Sequence, residues 1–234
     1  MTPPLDLLLL APHPDDAEIC CGGLIALCVR EGRRVGIVDL TRGEAASRGT
    51  AEDRARESAA ATQALGLHHR ENLGLPDGGL SDLPDLASFL VRAVRRLQPT
   101  LLLAPYPRDL HPDHEAAGRA ARRAFYLSGL ARHLPDLPPH RPRRLVHYME
   151  HHRFQPSFVL DITQVWETKI AAIRCYRSQL EPAGAGHAHL PAGLDILQRI
   201  EVRDRFYGAA VGARYGEPYF TESPPRVTDP FALA

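Results

Sequence analysis

Asp6-Leu-Leu-Leu-Leu-Ala-Pro-His-Pro-Asp-Asp16 is the stretch on which the fold turns. Its short apolar run, 6–11, ends at Pro12 and reads as a buried strand, and helical spacing follows over 22–30. Strand, loop and helix succeed one another, and the loop carries a polar cluster, His13-Pro14-Asp15-Asp16. Outward from this unit the pattern repeats. Residues 34–40 (RVGIVDL) read as a strand, and the Ala-rich stretch 52–65 closed by Gly66 reads as a helix with a glycine stop. A helix over 83–97 ends before Pro99, a strand follows at 100–104 (TLLLA), and an amphipathic helix at 115–130. Strands are expected at 144–149 and 158–162 and a helix at 166–180, with loops at 135–143 and 181–192, the second a candidate lid. The Pro-rich stretch 217–230 reads as an irregular tail. Continuous apolar strands alternating with helices imply an α/β fold with a mainly parallel, Rossmann-like doubly wound sheet.

The chain has 234 residues, which suits one domain with a core over about 5–180 and a C-terminal segment that completes the site. Lys+Arg and Asp+Glu both total 28, so no global field recruits nucleic acid or an anionic membrane. A small substrate is expected instead. No segment is long and apolar enough for a bilayer span or a signal-peptide core. The four cysteines, Cys20, Cys21, Cys28 and Cys175, form no C-x-x-C pair, which fits a reducing, cytoplasmic setting. Cys20 and Cys21 read as small apolar groups packed at the start of a helix, with a thiol nucleophile the alternative.

The chemistry gathers in two clusters, His13-Pro14-Asp15-Asp16 after the first strand and His111-Pro112-Asp113-His114 after the strand at 100–104. Both follow strand carboxyl ends, where an open parallel sheet forms its ligand crevice at the topological switch point. A catalytic zinc wants three His or carboxylate ligands and one open position, and a His₂Asp set also accepts Fe²⁺. With two histidines and one aspartate on one such metal, the remaining groups supply a general base and an oxyanion stabiliser. Which group takes which of these parts stays open. The pairs His68-His69 and His151-His152 lack carboxylate partners of comparable pattern and read as surface or capping residues; His187 and His189 sit in the Gly-rich loop. A metal-free nucleotide binder is the rival of another class, but no G-x-G-x-x-G follows the first strand.

At these clusters the chain resembles the LmbE-like (PIG-L) zinc deacetylases, over nearly its whole length. Ala11-Pro-His-Pro-Asp-Asp-Ala-Glu18 with Gly22-Gly23 is similar to the family's first motif, and His111-Pro-Asp-His114 to its second. Asp39-Leu-Thr-Arg-Gly-Glu44, Arg48-Gly-Thr50, Asn72-Leu-Gly-Leu-Pro-Asp-Gly78, Tyr176-Arg-Ser-Gln179 and Tyr215-Gly-Glu-Pro218 resemble the bacillithiol branch, which deacetylates N-acetylglucosaminyl malate. The resemblance implies His13, Asp16 and His114 as ligands of one Zn²⁺, Asp15 as general base, His111 facing the oxyanion and Asp113 orienting His111. It further implies that Glu44, Arg54 and Asp77 contact substrate, and that the chain assembles as a dimer or hexamer. An inositol-linked sugar, a chitin fragment or a thiol conjugate are alternative substrates. Leu110 stands where the bacillithiol branch often carries Arg, with Arg108 two residues earlier.

Overall fold

The computed structural model describes residues 3–180 and 195–229. Five strands, β1 (Leu7–Ala11), β2 (Val35–Thr41), β3 (His69–Leu75), β4 (Leu101–Pro105) and β5 (Arg144–Tyr148), run parallel. A further strand, β7 (Gly216–Phe220), is antiparallel between β5 and β6 (Phe158–Asp161). The order is β3-β2-β1-β4-β5-β7-β6, a doubly wound, mainly parallel sheet. β1 pairs with β2 on one side and β4 on the other, so the chain reverses direction across the sheet between β1 and β4.

The four leucines of β1 explain its continuous apolar run. Successive side chains of a strand point to opposite faces, and Leu7 and Leu9 pack into one core cluster while Leu8 and Leu10 pack into the other. The first cluster includes residues of α1 (Asp16–Arg30), α5 (Trp166–Ile173) and α7 (Ile196–Ala209). The second is built on α3 (Leu86–Leu97) and α4 (Pro112–Leu127). Burying each leucine contributes about 1.5–3 kcal/mol, and β1 is sealed on both faces.

Several elements differ from their sequence expectation. α1 begins at Asp16, six residues before the expected start, and so takes the whole first cluster onto its N-terminus. The helix α2 (Ala51–Leu65) has the expected stop, Gly66 at φ 67, and a Thr50–Asp53 capping box. The single helix expected at 166–180 is broken into α5 and a short α6 (Arg177–Leu180). Two elements carry no apolar signal: β3, a half-exposed edge strand of sequence HRENLGL, and β7, expected within an irregular tail because Pro218 breaks its pattern. β7 is instead buried, with Glu217 and Tyr219 fully inaccessible. His69 thus opens a strand, and His151 and His152 do have a carboxylate partner, Asp109, described below. His187, His189 and the candidate lid lie outside the described residues.

Candidate active site

The two motifs meet because β1 and β4 are neighbours. His13 lies just beyond β1; Asp15, at the cap of α1, adopts φ 116, a backbone state that costs a non-glycine residue about 1–3 kcal/mol and survives only when its surroundings hold it. From the β4 side, His111 caps α4: its Nδ1 accepts the Asp113 amide at 3.2 Å, and Pro112 takes the first helical turn, where its missing N–H costs nothing. His114 follows within that turn, buried.

Three donor atoms converge. His13 Nδ1 lies 3.2 Å from Asp16 Oδ2 and 3.2 Å from His114 Nε2, which is 3.5 Å from Asp16 Oδ2. Ligands about 2.0–2.1 Å from a tetrahedral zinc stand about 3.3–3.4 Å apart, so this triangle has the edge lengths of a metal face. The outward nitrogens are also engaged as metal-bound histidines require. His13 Nε2 lies 3.0 Å from Asp77 Oδ1 and 3.4 Å from Asp113 Oδ2, and His114 Nδ1 lies 2.7 Å from Glu150 Oε2. Neither His114 Nδ1 nor Glu150 Oε2 has a well-aligned hydrogen bond, so they meet as a close ionic contact.

The charge balance agrees. Burial pulls the His13 pKa down, yet hydrogen bonds with Asp113, Asp16 and Asp77 push it up to about 12. Burial likewise opposes a charge on His114, but Glu150 and Asp16 raise it to about 11. Burial disfavours ionised Asp16, but His114 and His13 hold it well below the usual carboxylate range. A pocket this rich in carboxylates calls for a cation, and the residues present fit a divalent metal.

Asp15 stands apart from the triangle. Arg54 Nη1 and Nη2 donate to its two oxygens at 3.0 and 3.1 Å, a bidentate pair closed off from water. Burial raises the Asp15 pKa to about 6 against the pull of Arg54. The Arg54 guanidinium also lies 5.7 Å from the Tyr176 ring. Tyr176 belongs to a buried ionic group in which Arg70 donates to Asp39, Glu18 and the Tyr176 hydroxyl, and that hydroxyl donates to Glu18. The stretches around Asp39 and Tyr176 thus lie behind the Arg54–Asp15 pair.

Other expected residues fall around this centre with altered detail. The Asp113 bond to His111 comes from the backbone amide; its carboxylate accepts the Gly78 and Leu80 amides at 2.7 and 3.0 Å and faces His13. Asp77 Oδ2 accepts the Ala45 amide at 2.8 Å while its other oxygen meets His13, and Glu44, exposed, accepts the Asp77 amide at 3.1 Å. Burial and the neighbouring His114 and His13 lower the His111 pKa, and its ring stacks on His114 at 4.5 Å. Cys20 and Cys21 are buried and their thiols are pushed up by burial, as packed apolar groups are.

Two site residues carried no legible motif. Glu150, just past β5, is raised to about 8 by burial and by Asp16. Asp109 accepts the amides of His111, His151 and His152, and its Oδ1 meets His151 Nδ1 at 3.0 Å. It ties the loops after β4 and β5 together. A carboxylate two residues before His111 was visible in the sequence, but its partners His151 and His152 lie about forty residues on.

Residues 8–125 match the family model described as PIG-L: GlcNAc-PI de-N-acetylase. Over 90% of its length the chain is 28% identical to the diacetylchitobiose deacetylase of Thermococcus kodakarensis, covering 80% of that protein. It is 30% identical, over 75% of its length and 83% of the relative's, to a probable N-acetyl-alpha-D-glucosaminyl L-malate deacetylase 2 of Bacillus subtilis. A 4-oxalmesaconate hydratase of Pseudomonas putida is 29% identical over 76% of the chain and 75% of its own. Among solved structures, the conserved protein TT1542 of Thermus thermophilus superposes with a TM-score of 0.86 at 42% identity, over 96% of this chain and 97% of that one. Among the described residues no helix is long and apolar enough to cross a membrane.

Proposed function

The chain belongs to the PIG-L family of GlcNAc-PI de-N-acetylases, and on that premise we propose that it is a metal-dependent N-deacetylase acting on an N-acetylglucosamine conjugate. The observation that carries this reading is the near-equilateral triangle of His13 Nδ1, Asp16 Oδ2 and His114 Nε2 with a buried carboxylate, Asp15, on the adjoining residue. For the substrate we propose N-acetylglucosaminyl L-malate, supported by the motif matches and the Bacillus relative. A chitobiose-like disaccharide is the second reading, favoured by the Thermococcus relative and by Leu110, 82% exposed where a carboxylate-binding arginine would serve a malate.

His13, Asp16 and His114 would hold the metal, zinc or Fe²⁺. When bound, it supplies Lewis acidity at the acetyl carbonyl and, as zinc, lowers the pKa of water from about 9 toward about 7. Asp15 takes the proton of the attacking water, with Arg54 fixing the direction of its two oxygens. The His111 Nδ1 accepts an amide, so its proton sits on Nε2, where a neutral imidazole donates to the developing oxyanion; such a donor is worth about 10²–10³ in rate. Asp77 and Asp113 hold His13, and Glu150 holds His114. Asp15, protonated in the first step, is the group that returns a proton to the leaving amine.

The test is metal content with amine release from N-acetylglucosaminyl malate, diacetylchitobiose and N-acetylglucosamine on one purified sample, with and without chelator. Chelator-sensitive release confirms the deacetylase, and the preferred substrate selects the conjugate. No release from any of them, with chelator-sensitive hydration of an unsaturated dicarboxylate instead, would move the chain to the chemistry of the Pseudomonas relative and overturn the proposal.

A further inference from the structure

One turn beyond the site, the backbone of helix α1 receives side chains from the C-terminal half of the chain. In an α-helix the Ile19 carbonyl faces the Gly23 amide, and here both groups also have side-chain partners. Arg203 Nη2 donates to the Ile19 carbonyl at 2.6 Å, while the Gly23 and Leu24 amides donate to Glu217 Oε1 and Oε2, each at 2.8 Å. The space between is bridged by two more charged groups. Lys169, the only lysine in the sequence, donates to Glu217 Oε1 at 2.8 Å and to Asp204 Oδ2 at 2.6 Å, and Asp204 Oδ1 accepts Arg203 Nε at 2.8 Å. Lys169, Asp204 and Glu217 are fully buried.

Buried charge is tolerated only when paired and hydrogen-bonded, and this group meets both conditions. Two cations alternate with two anions, and the Tyr219 hydroxyl completes Glu217 at 2.7 Å. Gly22 and Gly23 make the approach feasible. A Cβ on Gly22 would stand 2.7 Å from Lys169 Cγ, and one on Gly23 would stand 2.5 Å from Ile162 Cγ2. The double glycine of the first motif is thus the opening through which the C-terminal half of the chain reaches the helix backbone.

The turn that Arg203 grips bears the site. The Ile19 amide donates to the Asp15 carbonyl at 2.9 Å, closing one turn that starts at Asp15 and Asp16 and ends at the carbonyl held by Arg203. Resting on the metal reading above, we propose that Arg203 is a positioning residue: with Asp204, Lys169 and Glu217 it holds the first turn of α1. The position of Asp16 in the metal triangle is thereby set by residues that lie beyond 8–125, the stretch matched to the family model. Asp15, strained at φ 116, is held by the same turn.

Cobalt(II) titration of metal-free protein tests this, read by the visible ligand-field bands and accompanied by thermal unfolding. Arg203→Met removes the grip. Arg203→Lys keeps a cation beside Asp204 but cannot span Asp204 and Ile19 together, and it carries the test should the first variant not fold. The expected result is a cobalt affinity weakened about 10- to 100-fold, in the range typical when the support of a metal ligand is lost, with shifted bands and cooperative unfolding retained. A folded variant with a lower melting temperature but unchanged affinity and bands overturns the proposal and leaves the cluster a structural staple. Parent protein that takes up no cobalt, or takes it up equally well after His13→Ala, overturns the metal reading and the positioning role with it.

Discussion

Replacing Arg54 by Met separates two roles for this residue, one suggested by the family resemblance and one by the geometry. In the structure both Nη atoms are committed to Asp15, at 3.0 and 3.1 Å, and the two side chains are 4% and 12% exposed. Solvent screening is therefore weak, and removing one partner of such a pair costs about 3–5 kcal/mol. For a chain of this size 1 kcal/mol moves the melting temperature by about 2–4 °C, so Arg54→Met is expected to melt about 6–20 °C lower. The catalytic effect is separate. Without the guanidinium fork nothing fixes both oxygens of Asp15 toward the water, and a misplacement of about 1 Å costs about 10²-fold in rate. The expectation is kcat down about a hundredfold with KM and metal content close to the parent's, and partial recovery in Arg54→Lys, which can hold one oxygen at a time. Steady-state amine release with metal analysis reads all three. A variant with parental kcat and a raised KM would refute the positioning argument and show that Arg54 binds substrate.

Asp15→Asn is expected to retain one metal per chain and lose about 10²–10⁴ in kcat, the usual worth of a general base, whereas His13→Ala loses metal and turnover together; near-normal turnover in Asp15→Asn would remove it from the base role. Glu150→Gln keeps the shape of the side chain but removes the titratable carboxyl that meets His114 Nδ1 at 2.7 Å. Its metal affinity should fall about 10- to 100-fold by chelator competition, and an unchanged affinity would show that Glu150 is a bystander. Stripping the metal should lower the melting temperature, by an amount that grows with the logarithm of free metal over Kd, since a ligand at about 100 times its Kd stabilises by about 2.7 kcal/mol; calorimetry that finds no shift on metal addition would contradict a metal bound by the folded triangle.

The legibility of the site followed the range of its interactions. His13, Asp15 and Asp16 sit within four positions, as do His111, Asp113 and His114, so each half of the candidate site is a local pattern behind an apolar strand. β1 and β4 announced themselves because a strand buried on both faces must be apolar throughout. β3 did not, because a sheet edge tolerates His69, Arg70 and Glu71. β7 misled for another reason: Glu217 and Pro218 read as loop, and only the four-residue ionic group makes a buried glutamate acceptable there. The break between α5 and α6 was likewise silent in the apolar spacing.

By itself, the sequence determined that β1, β2 and β4 are buried strands of a mainly parallel sheet, and which residues could bind a metal at the strand ends. These are consequences of side-chain solubility, strand periodicity and donor chemistry, all written in neighbouring positions. The tertiary structure alone decided that His13 Nδ1, Asp16 and His114 Nε2 form one triangle, that Arg54 serves Asp15, that Glu150 and Asp109 complete the support, and that Arg203 and Glu217 enter helix α1. Each of these joins groups far apart in the chain through charge and hydrogen-bond geometry. A charged residue looks the same in sequence whether water or a buried partner will satisfy it, and only the folded chain supplies the partner.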